Sequence, residues 1–522
     1  MSRATRTALV RDDRTAYEAA TGSAVGLSGI AFAVGLAALL GLVAIDAPVA
    51  GVGLSVALGA VLLALGAAVV GFGVASRTGY VDTGPQPSAG IVAAAAFTGI
   101  WVAVGAAASG AAGLGTVGRL GAGAVLGGVA FATTALPRED IGSTVPAGAV
   151  AGLCGLALIS GVVGPGWEHA LVGYNATLFG DTVVPVVVLF ASLVTGWSAA
   201  KASGGFGARG RNVGAYVLIY LVVGSILAVL VGLVAFVAAK GLPGLLNGVS
   251  VGGERLVSWP FLTNGAGLLA DVAGVFPALV GTVWLVVGAV CFAVPTGVGA
   301  AVFLSEYAEQ GRFTGAVEVA TNGLWSTPSI VFGLFGAAFL IPRFGNQKSL
   351  IAGMLTLGFM LLPLVLITSR EAILAVPDEY RDASAALGVS KWQTIRSVVL
   401  PAAIPGVTTG VILGVGRIAG ETAPILLTMG GGVLPAKAAA PDVLGSFRLS
   451  ASPPFVSNPA LLEATSALPY QLYALITAGL SGNIRNPQEF AWGLALTLLL
   501  VVLAFYAVGI ATRYYFRQKL HQ

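Results

Sequence analysis

Apolar residues run along this chain in blocks of about 20, the length a helix needs to cross a hydrocarbon core about 30 Å thick, and polar stretches separate the blocks. About twelve such blocks can be drawn: 22–45, 50–75, 90–112, 115–135, 146–164 and 182–200, then 213–239, 276–300, 322–341, 350–368, 404–429 and 490–512. The earlier blocks are rich in Ala, Gly and Val, whereas longer and more polar segments join the later ones. The pattern predicts an all-α integral membrane protein with about 12 transmembrane helices. It divides into an N-terminal membrane region over 1–200, a linker over 201–212 and a second membrane domain over 213–519.

Composition narrows what such a protein can do. At 57% hydrophobic and 9% charged, against about 25% charged in a soluble domain, the chain has no ordinary water-facing surface. Its 75 glycines suit close helix contacts in lipid. Disorder, a collagen repeat and a secreted disulfide scaffold are excluded. Cys154 and Cys291 lie inside apolar blocks, and His169 and His521 are the only histidines. No group stands at metal-ligand spacing and no nucleophile is paired with a base, so neither a metal site nor a catalytic site is expected. The net charge of +4 is scattered, which argues for membrane lipid and against nucleic acid as a partner.

Basic residues orient the spans, because short cytoplasmic loops retain Lys and Arg. About 17 of the 26 basic residues fall on one side: Arg3 to Arg14, Arg77, Arg138, Lys201/Arg209/Arg211, Arg312, Arg370 to Arg396 and Arg513/Arg517/Lys519. Both termini are then cytoplasmic, and the protein is a multi-pass component of the cell membrane. The first apolar run, about 24 residues behind a basic start, reads as a retained helix rather than a cleaved leader. The linker with its Gly204-Gly205-Phe206-Gly207 run marks a boundary between modules. Asn175-Ala176-Thr177 is a glycosylation sequon on an outside loop. Segment 305–319 reads as a solvated cytoplasmic connection, and the Pro-rich outside segment 430–489 as a surface poor in regular helix.

Segment 369–405 is too polar to span and too long for a turn. Pro377 at a first helical position, followed by Asp378 and Glu379, starts a helix that Gly388 ends, and Ser390 with Gln393 makes the capping box of a second. Trp392, Ile395 and Val399 fall on one face of that second helix. Asp382-Ala383-Ser384, three residues, Gly388, nine residues, then Val398-Val399-Leu400-Pro401 resembles the E-A-A, three, G, nine, I-x-L-P loop of ABC importer permeases. The resemblance implies that loop 369–403, through Asp382, Ala383, Ser384, Gly388, Leu400 and Pro401, fits a cleft on a separate ATPase subunit. Nothing in the chain matches the G-x-x-x-x-G-K-[ST] phosphate loop, so ATP is expected to be used by that partner and no cofactor to be bound by this chain.

Block 404–429 carries Arg417 and Glu421, spaced to share a helical face, and Gly406, Gly410 and Gly414 extend that stripe within about 80° of arc. A charge at mid-span costs on the order of 2.5–3.5 kcal/mol, so this face must look into protein. Two readings stay open, an ion pair joining packed helices and a charged group on a substrate path. Gly416-Arg417-Ile418-Ala419-Gly420-Glu421-Thr422-Ala423-Pro424 resembles the G-R-A-x-G-E-T-A-P segment of PstA-type permeases of phosphate importers, and the sister PstC type usually departs after G-E-T. Further similarity lies in Pro295-Thr296-Gly297 with Ser305-Glu306-Tyr307, in Thr327-Pro328-Ser329-Ile330-Val331-Phe332-Gly333, and in Leu468-Pro469-Tyr470-Gln471.

This resemblance covers about 213–519. It implies a type I ABC importer permease core in the last six helices, with a PstC-like second permease, two ATP-binding subunits and an extracytoplasmic phosphate-binding protein as partners. Arg417 and Glu421 would then lie on the substrate path, while Arg343, at an outer helix end, reads as a snorkelling side chain. Phosphonate, sulfate or molybdate, or a transport-inactive scaffold or regulatory role, are the alternatives. Residues 1–200 lie outside the resemblance, carry almost no mid-span charge and read as an assembly or packing region.

Overall fold

The computed structural model describes residues 16–111, 115–170, 177–252, 257–265, 274–309, 311–430, 440–453, 455–478 and 486–520. Arg3 to Arg14, Asn175, Ala176 and Pro435 lie outside them. Ten described helices are long and apolar enough to cross a membrane, or eleven if one bent pair counts as a single span. The chain divides into two compact units, Met1–Leu233 and Val234–Gln522.

The first unit holds α1 (Ala16–Leu39), α2 (Leu54–Arg77), α3 (Ile91–Ala111), α4 (Thr116–Ala135), α5 (Glu139–Ile159) and α6 (Gly180–Ser203), and the start of α7 (Gly207–Leu245). Two antiparallel hairpins, β1 (Pro48–Val49) with β2 (Val52–Gly53) and β3 (Glu168–Ala170) with β4 (Thr177–Phe179), join α1 to α2 and α5 to α6. Small residues let the backbones approach: a Cβ on Gly66 would lie 2.7 Å from the Gly148 carbonyl oxygen, and one on Gly155 would lie 2.6 Å from that of Gly59. These contacts hold α2 against α5, while α1 packs on α6 and α3 on α4.

That packing is reciprocal because the unit contains an internal repeat. Gly35-Leu36-Ala37-Ala38-Leu39-Leu40-Gly41-Leu42-Val43 is matched 120 positions later by Gly155-Leu156-Ala157-Leu158-Ile159-Ser160-Gly161-Val162-Val163. In both copies the helix ends at a left-handed glycine, Gly41 (φ 70°) or Gly161 (φ 74°), followed by a β-hairpin and a helix of 24 residues. Each copy's first helix packs on the other copy's second. The repeat escapes a sequence reading because Ala, Gly and Leu, which carry it, fill every span here.

The expected linker at 201–212 is instead a tight, well-packed turn. Helix α6 runs to Ser203, and Gly205, Phe206 and Gly207, the first residue of α7, all take positive φ. Phe206, at φ 60° and almost fully buried, is a non-glycine held in a sparsely populated conformation by its surroundings.

The second unit contains α8 (Phe276–Val302), α9 (Arg312–Ser326), α10 (Ser329–Phe335), α11 (Leu350–Leu374), α12 (Asp378–Ala386), α13 (Lys391–Thr394), α14 (Leu400–Ala419), α15 (Ala423–Thr428), α16 (Leu468–Ala478) and α17 (Pro487–Leu520). Hairpins β5 (Ser250–Val251) with β6 (Val257–Ser258) and β7 (Arg448–Leu449) with β8 (Val456–Ser457) complete it. Helix α11 packs against α8 and α14, and α14 also packs on α17. Leu285, Ala289, Leu357, Leu361, Val365 and Ile418 are buried in the resulting core. The stripe on α14 faces α11: a Cβ on Gly406 would lie 2.7 Å from Ala372 Cβ, and one on Gly410 or Gly414 would collide with Thr368 or Leu361.

Four expectations are corrected here. The span drawn at 322–341 is a bent pair, α9 and α10 meeting at 103° across Thr327-Pro328, where the residue before proline is pushed out of the helical region. The span drawn at 404–429 ends at Ala419, and Gly420 to Thr422 separate α14 from α15. Segment 305–319 is largely structured, with a π turn over Phe303–Tyr307 and most of α9. Segment 430–489 includes hairpin β7/β8 and the 11-residue α16.

Candidate functional site

Helices α12 and α13 form the surface hairpin that the loop spacing predicts. Pro377 stands one position earlier than expected, capping α12 rather than opening it. Gly388, at φ 72°, takes the left-handed position just past α12, where its N–H donates to the Ala385 carbonyl (2.9 Å) and the Val389 N–H to that of Ser384 (3.2 Å). Ser390 and Gln393 form the capping box of α13. Leu400 and Pro401 open α14, so the hairpin feeds directly into that helix through a π turn, Ile395–Val399.

The hairpin's two faces differ. Ser384, Ile395 and Val399 are buried, whereas Asp382 and Ala383 are exposed together with Leu387 (82%) and Trp392 (56%). Trp392 therefore leaves the face it was expected to share with Ile395 and Val399. Leu387 and Trp392 thus make an exposed apolar patch with polar neighbours on a short element, a feature that can serve as a contact surface.

Stiffness comes from residues the sequence reading passed over. Arg381 donates through Nη2 to Glu306 Oε1 (2.8 Å) and the Ile373 carbonyl (3.1 Å), and through Nη1 to the Val376 carbonyl (2.7 Å) and Asp378 Oδ1 (3.1 Å). The Glu306 hydrogen bond is the main cause holding the Arg381 pKa above its usual value. Lys391 Nζ sits 5.1 Å from the centre of the Tyr307 ring. Glu306 and Tyr307 both belong to the π turn ending α8, which aims adjacent residues at α12 and α13. Arg370 of α11 also pairs with Glu318 of α9. Arg381 adjoins Asp382 and Glu306 lies within Ser305-Glu306-Tyr307, but neither position signals the pairing.

The second feature lies where two broken helices meet. Helix α10 packs against α15, with Gly333 against Pro424 and Ala423. Arg417 occupies the last turn of α14, where a cation complements the carbonyl end of the helix. Its Nε is 3.8 Å from Glu421 Oε1, outside hydrogen-bond range, and its Cζ lies 4.4 Å from the centre of the Trp325 ring on α9. Arg417 is 35% exposed and Glu421 17%. A guanidinium with one loose carboxylate and one aromatic face has donors left for an oxyanion. Arg343 is folded onto its own helix end, donating to the Phe339 carbonyl and lying 3.6 Å over that ring.

A family model described as "Binding-protein-dependent transport system inner membrane component" matches residues 293–522. A Bacillus subtilis protein, "Probable ABC transporter permease protein YqgI", is 35% identical over 199 residues, 38% of this chain and 68% of that protein. "Phosphate transport system permease protein PstA 1" of Mycobacterium tuberculosis is 36% identical over 233 residues, 44% of this chain and 67% of that protein. "Phosphate transport system permease protein PstA" of Mycobacterium leprae is 35% identical over 245 residues, 46% of this chain and 71% of that protein. The chain belongs to the PstA-type permeases of ABC importers. The PstA-type chain is thus a multi-pass membrane permease subunit in a family of non-enzymatic transporter subunits. Such permeases work with a partner permease, an ATPase and a binding protein. The family match lies within the second unit, where the surface hairpin and the Arg417 break also lie.

Proposed function

We propose that this PstA-type permease carries inorganic phosphate across the cell membrane, forming the path with a PstC-like permease. Two ATP-binding subunits would engage the α12–α13 hairpin, and an extracytoplasmic phosphate-binding protein would deliver the anion. The observation that carries the substrate reading is Arg417, a cation at a helix break whose carboxylate neighbour stands 3.8 Å away. Fixed positive charge attracts the anion, while Glu421 beside it keeps binding weak enough for release. Names of the PstA relatives support phosphate over other oxyanions. On this reading both termini are cytoplasmic, and residues 1–200 form an additional membrane region.

Coupling follows from the clamp. Engagement of Asp382, Ala383, Leu387 and Trp392 by a moving ATPase would displace a hairpin tied through Arg381 and Lys391 to the end of α8 and continuous with α14. Motion at the hairpin is then carried as a lever to the break at Gly420. The experiment is energised uptake of labelled phosphate into vesicles carrying the assembled complex. Uptake by wild type that excess sulfate leaves unchanged, and its loss in Arg417→Ala and Gly388→Glu with assembly intact, is the expected result. Sulfate-sensitive uptake would point to another oxyanion, and no uptake by a verified wild-type complex would point to a scaffold.

A further inference from the structure

Beyond transport, the first unit contains a slot that the permease reading does not use. It is a cleft of about 400 Å³ between α3, α6 and the start of α7. Ala89, Ala93 and Ala96 leave room along one wall, and Phe97 and Trp197 form its deeper sides. Along α6 the slot runs from Leu193 to Lys201, about 12 Å at 1.5 Å per residue, close to the roughly 15 Å that one leaflet of the hydrocarbon core provides. Its lining is apolar except at one end, where Lys201 and Arg211 stand.

The charges at that end do not balance. Lys201 is 1% exposed, with Nζ 2.9 Å from Glu139 Oε1 and 4.9 Å from the centre of the Trp197 ring. Glu139 is fully buried, and its other oxygen accepts from the backbone N–H groups of Gln86 (3.2 Å) and Gly207 (3.0 Å). Arg211 reaches Glu139 only at 3.7 Å and is 43% exposed. One carboxylate faces two cations, and neighbouring Arg138 and Asp140 pair with each other. One positive charge is left at the mouth of an apolar slot one leaflet deep.

We propose that this slot binds the acyl chain of an anionic phospholipid, with the phosphodiester at Arg211. In the orientation proposed above, the lipid belongs to the cytoplasmic leaflet, where basic sites between helices recognise anionic headgroups. Glu139 acts as a positioning residue, since it ties Lys201 and the Gly207 turn into place and fixes where Arg211 emerges. The lipid would thereby brace the turn between α6 and α7.

The test uses the full chain, purified and delipidated, with retention of phosphatidylglycerol and phosphatidylcholine compared by native mass spectrometry. Wild type should favour phosphatidylglycerol, and Arg211→Ala should lower that preference about fivefold, the effect of one basic side chain near an anionic lipid surface. Arg211→Lys should keep most of the preference. Arg209→Ala, a change at a neighbouring exposed arginine, should leave it unaltered. Ala96→Trp, which fills the slot, should reduce retention of both lipids while the melting temperature of the chain shows that it remains folded. Equal retention of the two lipids by wild type, or an unchanged preference in Arg211→Ala, would overturn the proposal. Displacement of the lipid by excess inorganic phosphate would also overturn it, by showing a free-anion site instead.

Discussion

The two units handle charge in opposite ways. In the first, Glu139, Asp140 and Lys201 are all but fully buried, and their partners are near: Lys201 Nζ at 2.9 Å from Glu139, Ser76 Oγ at 3.0 Å from Asp140, and two backbone N–H groups on Glu139. In the second, Arg417 is one-third exposed and its carboxylate is at 3.8 Å. A closed cluster has its charges paired within the chain, whereas an open one has donors to spare. The same residue types therefore stand closed in one place and open in the other, and on the proposed function only the open pair is available to a ligand.

Breaking the closed cluster should give the largest effect. Lys201→Met leaves Glu139 buried without its ammonium, and removing one partner of a buried pair costs about 3–5 kcal/mol. Thermal unfolding of the purified chain should show this loss, and Glu139→Gln with Lys201→Met should recover most of it. An unchanged melting point in the single variant would mean that the pair does not hold the unit together.

Next comes the open cluster, where the sign of the comparison reverses. Arg417→Ala should cut phosphate uptake about ten- to hundredfold, the value of a charged hydrogen bond to substrate, while the melting point stays near that of wild type. Stability loss as large as that of Lys201→Met would make Arg417 a structural ion-pair member instead. The clamp should follow: Glu306→Arg or Arg381→Glu alone should lower phosphate moved per ATP hydrolysed by about tenfold, as expected for one charged hydrogen bond. Combining them should restore part of that ratio, and failure of the swap to restore anything would remove the pair from the coupling route.

Smaller effects test the geometry. Gly388→Ala places a side chain at φ 72° and should cost about 1 kcal/mol, read as weakened engagement of the ATPase subunits by the hairpin. Trp325→Leu removes the ring over Arg417, an interaction worth about 0.5–1 kcal/mol, and should raise the half-saturating phosphate concentration by only a few-fold.

Much of this was legible in residues. Long apolar runs located the spans, although helices such as Ala16–Leu39, Glu139–Ile159 and Gly207–Leu245 begin six or seven residues before the drawn blocks, and the Ser390/Gln393 capping box and the Gly388 helix end follow from local rules that distant contacts did not override. The broken helices were harder. Hydropathy sees 322–341 and 404–429 as continuous, although Thr327-Pro328 and Gly420 carry the signal that each helix stops. Glu306 and Arg381 lie 75 positions apart and pair only after folding, so no local spacing announces them. Lys201 read as one of the basic residues of a cytoplasmic linker, and only the tertiary packing of α5 against α6 and the Gly207 turn shows that it is buried beside Glu139.

The most direct test of the central claim is energised uptake of labelled phosphate by the assembled complex with Arg417→Ala, scored beside its thermal stability. The account predicts at least a tenfold loss of uptake with assembly and melting point kept. Wild-type uptake in the variant, or a loss matched by collapse of the complex, would contradict it.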